Sequence, residues 1–196
     1  MSRRLGTGME LLSPEEARAR YPLLETHDLR GALWDPHDGD IDPAGLTQAL
    51  AKGARDAGAR VLRFCPATGL RREGAGWIVE TAAGEVRCDV VVNAAGYRAG
   101  EVAAWMGRRL PMAVMGHQYL VFDAVPEVAA LAAATGRKLP LLRDVDVSYY
   151  LRQEKDGFNL GPYEPDCRAY WTDGIPEDFA FGLFPDELDR IEAIVE

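Results

Sequence analysis

Three short tracts hold the residue types that do chemistry. The first is Asn93-Ala94-Ala95-Gly96, which closes the apolar run Val90-Val91-Val92. Small residues and a glycine let a backbone come close to another group, and ligands of open α/β sheets bind beyond the carboxyl ends of such strands. A ligand-free strand-to-helix turn uses the same residues. The second tract is Met115-Gly116-His117-Gln118-Tyr119. An imidazole changes charge near neutral pH, which suits amine chemistry. A histidine among apolar strand residues also serves plain packing. The third is Val147-Ser148-Tyr149-Tyr150-Leu151-Arg152. Neighbouring strand residues face opposite sides, so one tyrosine of the pair faces a cleft or the interior. A cleft tyrosine donates a hydrogen bond to a carboxylate while its ring lines an apolar wall. Arg143 and Arg152 flank the pair, and either can clamp an anion. Asp144, Asp146 and Glu154 stand close enough in sequence to make ordinary surface ion pairs with them instead.

The elements that position these residues are punctuated in the sequence. Ser13-Pro14-Glu15-Glu16 is a helix start with a capping box, and that helix ends before Pro22. Asp42-Pro43 repeats the device. Ala44, Leu46, Ala49, Leu50, Ala54 and Ala57 then fall near one helical face, and Gly58 ends the helix. Arg60 to Phe64 reads as the following strand, the grammar of an α/β unit. Trp77 to Thr81, the turn Ala82-Ala83-Gly84 and Glu85 to Cys88 read as a β-meander. Val90 to Asn93 reads as a strand buried on both faces, and Arg98 to Met106 as helix. Beyond Pro111 the expected elements are a strand over Ala113–Phe122, a helix over Pro126–Ala134, and strands over Ser148–Gln153 and Phe158–Gly161. A final helix over Asp186–Glu196 ends without a stop signal. The expected division is a first lobe over residues 1–109 and a second over 110–196.

Composition narrows the functions. The chain has 196 residues, enough for one substantial core or two small lobes. Its net charge of −9 opposes nucleic-acid binding, which depends on cationic neutralisation of phosphates. Arg3-Arg4 is too short a basic start for a targeting signal, and no apolar run approaches the roughly 18–20 residues of a membrane span. Cys65, Cys88 and Cys167 stand far apart, which gives neither a disulfide framework nor a zinc motif and points to a reducing compartment. His27, His37 and His117 lack ligand spacing, so no metal is expected.

These tracts, taken in order, resemble the flavin-dependent dimethylglycine and sarcosine dehydrogenases of the D-amino-acid oxidase-like group. The resemblance runs through Leu12-Ser13-Pro14-Glu15-Glu16-Ala17, Pro36-His37-Asp38-Gly39 with Asp42-Pro43, and Val92-Asn93-Ala94-Ala95-Gly96. It continues through His117-Gln118-Tyr119, Leu142-Arg143-Asp144 and Ser148 to Glu154. Gly161-Pro162-Tyr163-Glu164 and Leu188-Asp189-Arg190-Ile191 complete it. The resemblance implies a mixed α/β (α+β) fold in a two-domain flavoprotein. It would hold a remnant of the FAD-binding lobe and a substrate lobe built on a mixed sheet. The implied reaction is oxidation of an N-methyl amine, with hydride passing to FAD and the iminium trapped by water or folate. The family's substrate-side residues fall on His117, which would favour the neutral amine, and on Tyr149, which would hold the carboxylate. The two are expected to share a cleft, with Tyr150 facing elsewhere. Cofactor contacts fall on Ala67, where the family has valine, and on Ala95 and Gly96. Arg98 stands where a tryptophan is common.

The resemblance also marks what the sequence lacks. No Gly-x-Gly-x-x-Gly strand-turn-helix occurs in it, and that segment seats the pyrophosphate on a helix N-terminus. The glycine-rich return segment and the folate-binding C-terminal module of the family are not found either. The expectation is therefore the middle of a catalytic unit, inactive and weak in FAD binding by itself. Its location would be the cytoplasm, or the mitochondrial matrix for a eukaryotic parent. Two alternatives stay open: another amine or amino-acid oxidase of the group, and a cofactor-free binding or subunit protein derived from the fold.

Overall fold

Ser13 begins the first helix as its capping box requires. In the computed structural model, which describes residues 6–195, the Ser13 hydroxyl accepts from the Glu16 N–H. The Glu16 carboxylate in turn accepts from the Ser13 N–H at 2.8 Å. The helix, α1, spans Pro14–Arg20 and buries Ala17. It lies between the paired strands β1 (Glu10–Leu12) and β2 (Ala32–Trp34) in chain order. Helix α2 (Pro43–Asp56) starts under the Asp42 cap, whose carboxylate accepts from the Ala44 N–H. The Arg3-Arg4 pair and Glu196, on which two expectations rest, lie outside the described residues.

The described residues divide into two compact units, neither continuous in sequence. The first comprises residues 6–41, 117–167 and 184–195, and the second 42–116 and 168–183. The expected division at Leu110 cuts the chain once, whereas each unit is assembled from separate stretches. The reason is pairing: β11 (Arg168–Tyr170) returns to β6 (Val114–Gly116).

The first unit is built on an antiparallel sheet of order β7 (Leu120–Val121), β10 (Gly157–Pro162), β9 (Tyr149–Glu154) and β8 (Leu142–Asp144). Strand β10 is central and buried along most of its length. Buried Gln153 on β9 is satisfied twice over. Its carbonyl oxygen accepts from the Leu139 N–H at 2.7 Å, and its amide donates to the Lys155 carbonyl at 2.8 Å. Helix α4 (Pro126–Thr135) buries Val128 and stops at Gly136, whose φ of 63° is the left-handed conformation of a helix end. The second unit contains α2, the meander β3 (Ala67–Glu73), β4 (Gly76–Thr81) and β5 (Gly84–Cys88), and α3 (Ala99–Ala104). Ile78, on the middle strand, is fully buried.

Several expectations need correction. Arg60–Phe64 and Val90–Asn93 are not strands; Phe64 is 93% exposed and Val92 82%. A strand needs a hydrogen-bonded neighbour, and neither segment has one among the described residues. The apolar residues Leu46 and Leu50 of α2 are likewise exposed. The expected strand over Ala113–Phe122 breaks into β6 and β7, which join different sheets. The expected final helix is a 3₁₀ turn over Leu188–Arg190 and the short α5 (Glu192–Val195). The sheet of the first unit, expected to be mixed or antiparallel, is antiparallel in every registered pair. Helices and strands are otherwise mixed as expected. Among the described residues no helix is long and apolar enough to cross a membrane.

Candidate functional site

The tight turn between β8 and β9 sets the tyrosine pair. The Asp144 carboxylate accepts from the Asp146 and Val147 N–H groups, and Ser148 turns the chain with φ of 71°. Strand β9 then starts at Tyr149. Its register places Tyr149 opposite Asp144 and Pro162, and Tyr150 opposite Arg143 and Gly161. Directly opposed residues share a face, and neighbours along a strand alternate. Tyr149 therefore shares a face with Asp144, and Tyr150 shares one with Arg143.

The electrostatics of the two faces differ accordingly. Burial raises the Tyr149 hydroxyl above the usual phenol range, and the Asp144 charge adds to it. Burial pushes the Tyr21 hydroxyl up to about 12, with Tyr149 adding to that shift. Tyr21 is buried, and its hydroxyl has no hydrogen-bond partner among the described residues. On the other face, Arg143 is exposed and makes no side-chain ion pair or hydrogen bond among those residues. Arg152 pairs with Glu154 at 3.1 Å.

His117 groups with Tyr150, not with Tyr149. Its ring meets Tyr163 edge-on with centroids 6.0 Å apart, and Tyr163 meets Tyr150 at 5.9 Å. The expectation paired His117 with Tyr149 in one cleft, with Tyr150 turned away; the ring contacts run instead from His117 through Tyr163 to Tyr150. Which tyrosine lies over Gly161 depends on register with β10, and no local pattern carries that information. His117 also lies 3.6 Å, through Nδ1, from Oε2 of Glu164, whose side chain is 1% exposed. Oε1 of Glu164 accepts from Arg190 at 2.8 Å. Tyr150, Tyr163, Glu164 and Arg190 received no role from the sequence reading. Tyr163-Glu164 directly follows the most buried strand of the unit, and an acid placed there is the available signal.

The remaining candidates lie in the second unit. Ala67 opens β3, exposed, beside a register shift between Ala67 and Gly69. Ala95 and Gly96 form an exposed turn; Gly96 has φ of 58°, and an added Cβ there would meet no atom within 4 Å. Asn93 braces this turn, accepting from the Ala95 N–H and donating to the Ala99 carbonyl. The guanidinium of Arg98 is committed to Glu101 and to the Pro176 carbonyl. Beside the turn is a cleft of about 140 Å³ bordered by Trp77, Val91, Asn93 and Met106.

Comparison with known proteins gives these placements a frame. The family model described as "DAO: FAD dependent oxidoreductase" matches residues 1–196. The chain is 43% identical over 196 residues to the mitochondrial dimethylglycine dehydrogenase of Mus musculus, covering 97% of this chain and 22% of that protein. It is 37% identical over 187 residues to the mitochondrial sarcosine dehydrogenase of Homo sapiens, covering 91% of this chain and 19% of that one. Among solved structures, L-proline dehydrogenase from P. horikoshii superposes with a TM-score of 0.70 at 28% identity. That match covers 81% of this chain and 41% of that protein. The chain thus spans about a fifth of the length of these curated relatives.

Proposed function

The chain belongs to the FAD-dependent oxidoreductase family, and from that membership we propose that it forms part of an amine dehydrogenase acting on N-methylglycines, dimethylglycine or sarcosine. The observation that carries this reading is the 43% identity to a dimethylglycine dehydrogenase across 97% of the chain. Ala67, Ala95 and Gly96 would hold one edge of FAD, which would supply the hydride acceptor for the methyl carbon and leave an iminium for water or folate to trap. Three free cysteines suit a reducing compartment, the cytoplasm or, for a eukaryotic source, the mitochondrial matrix.

The residues present suit one edge of the cofactor. The exposed backbone at Ala95 and Gly96, with open space where a Cβ would stand, admits a flat group at close range. Ala67 contributes exposed backbone of the same kind. The adjacent cleft of about 140 Å³ is smaller than the several hundred Å³ of ligand pockets. Arg98, already paired, braces the turn and does not reach outward.

On the substrate side, His117 would take up the amine's proton. A protonated amine has no lone pair to drive hydride loss, so a base beside it raises the reactive fraction. The tyrosine pair would hold the substrate carboxylate. Tyr149 is the position the family resemblance implies, but Asp144 on its face repels an anion. Tyr150 shares its face with Arg143, which has no ion-pair partner among the described residues, and stands on the His117 side. We therefore assign the carboxylate to Tyr150 and Arg143.

A chimera tests the proposal. This chain replaces the matched segment of the mouse dimethylglycine dehydrogenase, and the yellow protein is mixed anaerobically with dimethylglycine or sarcosine. Bleaching of the flavin absorbance with formaldehyde release supports the function. A chimera that folds and holds FAD, yet is bleached by neither amine, overturns it.

A further inference from the structure

We propose that Glu164 is the positioning residue for His117. It would hold the imidazole as the tautomer with hydrogen on Nδ1 and so leave the Nε2 lone pair to receive a proton. Four observations lead there. The Glu164 side chain is 1% exposed, while the His117 side chain beside it is 44% exposed. Oε1 is occupied by the Arg190 guanidinium at 2.8 Å. Oε2 is fully buried and has no hydrogen-bond partner among the described residues. His117 Nδ1 stands 3.6 Å from it, just beyond hydrogen-bonding distance. A carboxylate oxygen out of reach of solvent needs a donor, and Nδ1–H is the donor at hand. When a carboxylate engages one ring nitrogen, the other nitrogen is fixed as the acceptor.

The surrounding contacts hold this geometry. Gln118, the residue after His117, makes two reciprocal bonds with the Glu187 backbone. Its amide donates to the Glu187 carbonyl at 2.8 Å, and its oxygen accepts from the Glu187 N–H at 3.1 Å. Glu187 in turn pairs through its carboxylate with Arg190, and Arg190 holds Glu164. The chain of contacts therefore closes on itself, from His117-Gln118 through Glu187 and Arg190 to Glu164 and back to His117. Tyr163 presses the imidazole edge-on from a third side. Every member lies in the first unit.

The inference rests on the proposed reading for the use of the Nε2 lone pair, but not for the tautomer itself. Nitrogen-15 spectra of this chain above the titration of its histidines test it, with the His117 signals assigned by their loss in His117→Gln. The expected spectrum has a protonated Nδ1 and an unprotonated Nε2. In Glu164→Gln the amide can offer hydrogen to Nδ1, and the two resonances should exchange places. A wild-type His117 protonated on Nε2 overturns the proposal, as does a folded Glu164→Gln variant with an unchanged spectrum. Should Glu164→Gln fail to fold, the wild-type spectrum decides by itself. Glu164→Asp, which withdraws the charge by one methylene, should then raise the Nε2–H fraction, and no change overturns the proposal. In the chimera, Glu164→Gln should lower kcat more than it raises KM. The predicted tautomer in a chimera that oxidises no N-methylglycine would sink the functional reading and leave the positioning role standing.

Discussion

At the scale of single residues, two tyrosines separate by charge what their types leave equal. Tyr150→Phe in the chimera removes one hydroxyl and keeps the ring. The lost bond to a substrate carboxylate is worth roughly 1.5–3 kcal/mol, or about a 10- to 150-fold fall in kcat/KM. An amine lacking the carboxylate should show much less. Tyr149→Phe, on the face that Asp144 makes repulsive, should change neither substrate much; a large loss there with none at Tyr150 would return the role to Tyr149. Tyr21 gives a prediction about stability. Its buried hydroxyl has no partner among the described residues, and unpaired burial costs about 1–3 kcal/mol, so Tyr21→Phe should raise the melting temperature at neutral pH. The pH dependence has a definite sign. Burial pushes the folded hydroxyl up to about 12 against 10.0 for the reference phenol, so below pH 10 it is neutral in both the folded and the unfolded chain and stability does not depend on it through pH. Above that the unfolded chain ionises first, and stability falls by about 1.4 kcal/mol per pH unit until the folded group titrates. Melts between about pH 9 and 11 should therefore fall more steeply for wild type than for Tyr21→Phe, since the reference phenol titrates at 10.0; parallel curves would contradict this.

At the scale of elements, the same contacts explain which parts of the fold were legible. The helix starts at Pro14 and Pro43 were readable because a capping box and an Asp-Pro pair are local devices. The β4–β5 hairpin was readable through its Ala-Gly turn, and β9 and β10 through their apolar texture; β3, polar along most of its length, was not read. The false strands at Arg60–Phe64 and Val90–Asn93 share one cause: apolar texture marks what a strand buries but cannot supply the neighbour it pairs with. The short strands β1, β2, β8 and β11 went unread for the complementary reason. Each has three residues, too few for a period, and exists through pairing. Register explains the site as well. Gly161 lies beneath Tyr150, and an added Cβ would stand 2.0 Å from the ring. Gly161→Ala should therefore force the tyrosine off its position, at a cost of about 1–3 kcal/mol. Urea unfolding should show a lower midpoint with an unchanged slope. The loss should shrink when Tyr150→Leu is combined with it, since the two positions share one contact. Additive losses would show that the ring is not what the new methyl meets.

At the scale of the whole molecule, chemistry was more legible than architecture. The order of short tracts along the chain pointed to the flavin-dependent amine dehydrogenases, and the family match over residues 1–196 agrees. The interleaving of the two units was not legible, because it follows from the return of β11 to β6 across more than fifty residues. The distribution of apolar surface has a further consequence for cofactor binding. In the second unit Phe64, Val90, Val92 and Leu50 are exposed, and the turn at Ala95-Gly96 faces open space. In the proposed function that surface would meet one edge of FAD, but the 196 residues contain no Gly-x-Gly-x-x-Gly turn to seat its pyrophosphate. A dinucleotide draws on a helix N-terminus and several backbone amides for that group, and each 1.4 kcal/mol forgone is about tenfold in affinity. The purified 196-residue chain should therefore be colourless and should quench FAD fluorescence only at high concentration. The chimera, in which the mouse protein supplies the rest of the polypeptide, should purify yellow. A sub-micromolar dissociation constant for FAD with the chain alone would contradict this. It would mean that backbone at Ala67, Ala95 and Gly96 holds the cofactor without a phosphate loop, and Gly96→Val should then abolish the binding.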